Sequence, residues 1–123
     1  MAAFARILAG PVRPTAVLCS NDMTAIGVMR ESHDVGISIP RDLSLVGFDD
    51  IRLAQFVLPP LTTVQMSQSE LARLAFNALL AEVERETPAP NGTEYVLRTS
   101  LVLRESTSLL SGAVKTDEPQ RTP

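Results

Sequence analysis

The chain has 123 residues, 45% of them apolar, a net charge of −3 and a sequence pI near 5.1, enough for one compact domain with a core and too little for two. Its basic residues are scattered, so no electrostatic footprint for a phosphate backbone is visible and no nucleic-acid contact by this chain itself is expected. Cys19 is the only cysteine, which excludes an internal disulfide and a multi-cysteine zinc site and fits a reducing, cytoplasmic compartment.

Ala2 to Ala9 carries Phe4, Ile7 and Leu8 at helical spacing and reads as the tail of an amphipathic helix. Arg6 interrupts it, and it is too short for a membrane span or a signal peptide. Its uncapped start suggests a piece cut from something longer. Gly10-Pro11 and Pro14 break the helix before Thr15 to Ser20, a buried-strand candidate that holds Cys19 as an inert thiol. Asn21 and Asp22 are residue types that cap helices, and Met23 to His33 follows as a helix. Gly36 suits a left-handed helix end, and Pro40 prevents resumption before the next strand.

That strand, Leu43 to Phe48, is an almost unbroken apolar run, expected to be buried on both faces and to deliver Asp49 and Asp50 at its carboxyl end. Open α/β sheets bind ligands there. Ile51 to Leu58 is short and apolar, Pro59-Pro60 closes it, and Leu61 to Gln65 is a third strand. Ser67-Gln68-Ser69-Glu70 forms a capping box for a helix from Gln68 to about Glu86, with Leu71, Leu74, Ala75, Ala78, Leu79 and Val83 on an apolar stripe. Thr87 to Gly92 is a loop by turn chemistry, and Tyr95 to Leu103 alternates as a partly exposed strand. Ser111 to Pro123 reads as a disordered tail, leaving residues 1–110 as the domain. This order predicts an α/β fold with a mostly parallel sheet flanked by helices.

His33, the only histidine, has no nucleophile elbow or activating partner near it, and reads as a surface or capping residue at a helix end. The six glycines are dispersed, so no phosphate-cradling loop and no cofactor is expected. The carboxylates remain. Asp22, Asp49 and Asp50 converge if the strands ending at Ser20 and Phe48 are neighbours, and three acids could hold magnesium for a phospho-acceptor or phosphoryl-transfer site with Asp49 as nucleophile. Arg52 is the only basic residue close by to meet a phosphate. Alternatively Asp22 and Asp50 cap helix and loop starts, while Asp49 takes two hydroxyl or amide donors from a polar ligand. A plain interaction module built on a sheet edge and the amphipathic helix is a third reading.

Pro14-Thr15-Ala16-Val17, Ser20-Asn21-Asp22 with Ala25-Ile26-Gly27, Ile39-Pro40-Arg41-Asp42-Leu43-Ser44-Leu45-Val46-Gly47-Phe48-Asp49-Asp50, Pro59-Pro60-Leu61-Thr62-Thr63-Val64 and Arg104-Glu105-Ser106-Thr107 together resemble the lactose/galactose-repressor (LacI/GalR) family of bacterial regulators. The likeness runs from about Pro14 to Thr107. It implies the carboxyl-terminal part of a periplasmic-binding-protein-like effector domain, in which α/β lobes close on a sugar, nucleobase or similar metabolite, and which is not an enzyme. The positions matching Asn21 and Asp49 contact the effector in that family, with Asp22 and Asp50 as scaffold. Met66 stands where relatives often carry glutamine, and would pack against an apolar part of the ligand. The resemblance further implies a homodimer, with Ile26, Phe56 and Val57 on its contact face, and operator binding through an amino-terminal domain this chain lacks.

Overall fold

The computed structural model describes residues 2–85 and 94–109 of the chain. Helix α1 spans Ala2–Leu8, strand β1 Ala16–Leu18, helix α2 Asp22–Asp34 and strand β2 Ser44–Asp49. A short 3-10 turn covers Arg52–Gln55, then come strand β3 Thr62–Met66, helix α3 Gln68–Val83 and strand β4 Thr99–Val102. The expected loop at 87–92 and the tail at 111–123 both lie outside the described residues.

The four strands form one sheet in the order β1-β2-β3-β4. β1, β2 and β3 are parallel, with Val46 opposite Thr62 and Asp49 opposite Gln65, while β4 returns antiparallel to β3. The mostly parallel α/β sheet expected from the element order is therefore present. Parallel neighbours need a crossover, and α2 supplies it between β1 and β2. Asn21 caps α2, its side chain accepting from the Thr24 N–H at 2.8 Å, and Gly36 follows the helix at φ 75°, the left-handed conformation a glycine adopts without a Cβ clash. Before β2, the Arg41 guanidinium and the Ser38 N–H both bond to Asp42, holding its carboxyl down at about 2 and closing the turn into the strand.

The core lies on one face of the sheet. Phe4, Cys19, Ala25, Val28, Leu43, Leu45, Ala54 and Leu61 are buried together, and α2 covers β2 while α1 packs on α2. Each fully buried Leu of this set contributes roughly 1.5–3 kcal/mol relative to exposure. Burial pushes the Cys19 thiol up, which keeps it protonated and a poor nucleophile, as its place in the apolar strand predicts.

Three expectations need correction. β2 is not buried on both faces: Leu45 and Gly47 are covered, but Val46 and Phe48, pointing the other way, are only half-buried because no helix packs there. β1 is not a buried strand either; it is an outer strand paired only with β2, and Leu18 is 72% exposed. α3 forms as the pattern predicts, yet none of its residues is buried, and Phe76, Leu79 and Val83 are all exposed. An apolar stripe is buried only where a neighbouring layer covers it, and in α3 only Leu74 and Ala78 are as much as half-buried. The capping box is half made: Ser67 Oγ accepts from the Glu70 N–H at 3.3 Å, with no reciprocal bond from the Glu70 carboxylate.

Candidate functional site

The carboxyl ends of β2 and β3 border an open cleft of about 550 Å³, lined by Asp49, Asp50, Ile51, Arg52, Gln65, Met66, Ser67, Gln68 and Ser69. This is the crevice position at which a parallel sheet presents ligand-binding groups. It brings together two residues singled out from the sequence, Asp49 and Met66. The third, Asn21, lies at the same end of the neighbouring strand but is not part of the cleft wall, and its side-chain oxygen is committed to capping α2.

Asp49 and Asp50 adopt φ values of 108° and 52°. For residues carrying a Cβ this conformation costs roughly 1–3 kcal/mol each, and it persists only where the surroundings over-determine it. Here they do. Arg104 Nη2 donates to Asp50 Oδ1 at 2.6 Å, and Gln65 Nε2 donates to Asp50 Oδ2 at 2.9 Å. The Asp50 and Arg104 side chains are only 12% and 18% exposed, so their attraction is little screened by water. On the other side of the turn, the Ile51 N–H donates to Asp22 Oδ2 at 2.8 Å. Of the three aspartates at this end of the sheet, Asp49 is the one whose carboxylate has no hydrogen bond or ion pair among the described residues, and it lines the cleft.

Asp22 is not the helix cap expected of it. Asn21 takes that position, its extended backbone letting the side-chain oxygen reach the Thr24 N–H, and Asp22 turns inward as the first helical residue. Fully buried, it accepts from Thr63 Oγ1 at 2.5 Å as well as from Ile51. A Cβ at Gly47 would collide with Asp22 Oδ1 and touch Leu61, so the glycine in the middle of β2 is what admits the carboxylate. With Asp22 and Asp50 both engaged, the three acids do not converge as a magnesium site, and no cluster of metal-ligating residues occurs among the described residues.

Arg104, Ser106 and Gln65 hold the framework around the cleft, and sequence reasoning left them without a role. Arg104 also donates from Nη1 to Leu61 O at 2.8 Å, and Ser106, fully buried, donates to Leu45 O at 2.6 Å while accepting from the Thr62 N–H at 2.8 Å. For Arg104 and Ser106 the only available signal was their appearance in one short motif, since partners more than 40 positions away are not readable from spacing; Gln65 stands outside the motifs, 15 positions from Asp50.

On the surface, Phe56 is 65% exposed and Ile26 half-buried, whereas Val57 packs against the core. His33 is exposed beside Asp34 at the end of α2. No helix among the described residues is long and apolar enough to cross a membrane.

Residues 1–107 match the family described as periplasmic binding protein-like domain. The ribose operon repressor of Haemophilus influenzae is 43% identical over 94 residues, covering 76% of this chain and 28% of the repressor. The chain thus spans little more than a quarter of that relative's length. A LacI family transcriptional regulator from Enterococcus faecium, solved with bound ribose, is similar with a TM-score of 0.68 and 31% identity, over 85% of this chain and 37% of that one. The Lac repressor dimer bound to operator and an anti-inducer gives a TM-score of 0.71 and 30% identity, over 86% and 36%.

Proposed function

Because the chain belongs to the periplasmic-binding-protein-like family of LacI-type regulator effector domains, we propose that it carries one wall of a cleft for a small polyhydroxylated effector, with Asp49 as the principal polar contact. The observation that supports this most is the free carboxylate of Asp49, held out into the cleft while its neighbours are all engaged. A sugar offers pairs of adjacent hydroxyls, and a carboxylate can accept from both, each charge-assisted bond being worth about 1.5–3 kcal/mol. Met66 gives an apolar surface for the C–H face of such a ring. Arg52, Ser67, Gln68 and Ser69 supply donors around it. Asn21 contributes through its amide nitrogen, since its oxygen serves the helix cap.

The E. faecium regulator with bound ribose makes a pentose the first probe. A homodimer using Phe56 and Ile26 is part of the same reading, supported by the similarity to a dimeric repressor; Val57 serves the core instead. Operator recognition falls to parts outside these 123 residues, whose net charge is −3 and whose basic residues are scattered along the sequence. The protein is read as non-enzymatic: relatives such as the H. influenzae repressor are regulators, and a phospho-acceptor Asp49 would need the acids that are already engaged.

Titration calorimetry with D-ribose, followed by sucrose, tests the assignment on wild type and Asp49→Ala. Affinity should fall by roughly 10- to 100-fold, the loss of one or two charge-assisted bonds. Equal affinity in the two proteins removes Asp49 from the site.

A further inference from the structure

We propose that Arg104 is a positioning residue of the cleft: acting through Asp50, it fixes the direction in which the Asp49 carboxylate enters, while Asp22 holds the far side of the same turn. This rests on Asp49 being the effector contact. Two consecutive side-chain-bearing residues at positive φ form a turn that relaxes toward ordinary backbone unless it is held from outside. The holding groups come from three separate elements. Arg104 lies just beyond β4, Gln65 on β3 and Asp22 at the start of α2.

The guanidinium itself is fixed before it reaches Asp50. Nη1 is tied to Leu61 O, and the Arg104 backbone N–H is tied to Thr62 Oγ1 at 3.0 Å, so Nη2 arrives at Asp50 with little freedom. A planar fork with two donors in fixed relation can join the carbonyl just before β3 to the carboxylate just after β2; an ammonium on a flexible stem cannot hold both in that geometry. At the other side, Asp22 Oδ2 fixes the Ile51 N–H and is itself fixed by Thr63 and by the space Gly47 leaves. Asp49 is therefore bracketed by a β-sheet register at Gln65 and two anchored residues after it. Its side-chain direction is set at a distance by Arg104 and Asp22, neither of which lines the cleft.

Residue-resolved amide hydrogen exchange on the whole 123-residue chain tests the assignment, comparing wild type with Arg104→Lys, Arg104→Gln and Asp50→Asn. The expected result is exchange at Ile51, the turn amide held by Asp22, accelerated at least tenfold in both arginine variants, with Leu45 and Val17 changed less than threefold. Asp50→Asn, which keeps shape but removes the charge, should produce the same local pattern. Acceleration of similar size throughout the sheet, or unfolding of all three variants, would make the ion pair a general stabiliser and overturn the proposal; so would unchanged exchange at the turn, or full protection restored by lysine. No effector enters this measurement, so its outcome is separate from that of the ribose titration on Asp49→Ala.

Discussion

A buried carboxylate and a missing methyl group form one unit at the base of the cleft. Asp22 fits only because Gly47 has no Cβ, and once there it satisfies the Thr63 hydroxyl and the Ile51 amide. Gly47→Ala should destabilise the chain by about 1–3 kcal/mol through overpacking. Asp22→Ala should cost about the same, since it strands two donors. The double variant should be markedly less unstable than the sum, because the alanine methyl then occupies space the carboxylate vacated; urea denaturation of the four proteins gives the coupling energy. Additive losses would show that the two positions act independently. At this scale the sequence was only partly legible. Adjacent acids after an apolar run pointed to the cleft, but which acid is free and which is engaged depends on Arg104 and Thr63, 54 and 41 positions from their partners.

Among the elements, the segment after β4 matters more than its lack of regular structure suggests. Ser106 inserts between β2 and β3, its hydroxyl serving Leu45 O and the Thr62 N–H while its own carbonyl accepts from the Leu45 N–H. It continues the hydrogen bonding of the sheet where the strands splay apart. Ser106→Ala should therefore cost about 1–3 kcal/mol by leaving buried backbone groups unsatisfied. Ser108→Ala, whose hydroxyl bonds to Pro40 O at an exposed position, should stay within about 0.5 kcal/mol, and comparison of their urea midpoints checks both. Helix and strand identity was readable here because periodicity, caps and prolines are local signals. Burial was not, since whether β2 is covered on its second face depends on which elements pack there, a matter of tertiary arrangement.

For the molecule as a whole, the covered layer of α1, α2 and one sheet face is distinct from α3, which shows the sequence's best amphipathic pattern and no buried residue. Propensity alone could not tell a packed helix from an unpacked one. The consequence is thermodynamic. A helix of 16 residues that buries almost nothing has only its own nucleation and propagation to sustain it, which in water is marginal. Its melting exposes little new apolar surface, and so carries little heat capacity. Heating should thus split the readouts: far-UV dichroism, which sees every helical residue, should begin to fall well before the calorimetric peak that marks loss of the sheet layer. Coincident curves would show α3 to be cooperative with the sheet. Two thresholds in one small chain mean that α3 can gain order without cost to the cleft, so whatever packs on that helix stabilises it by mass action alone.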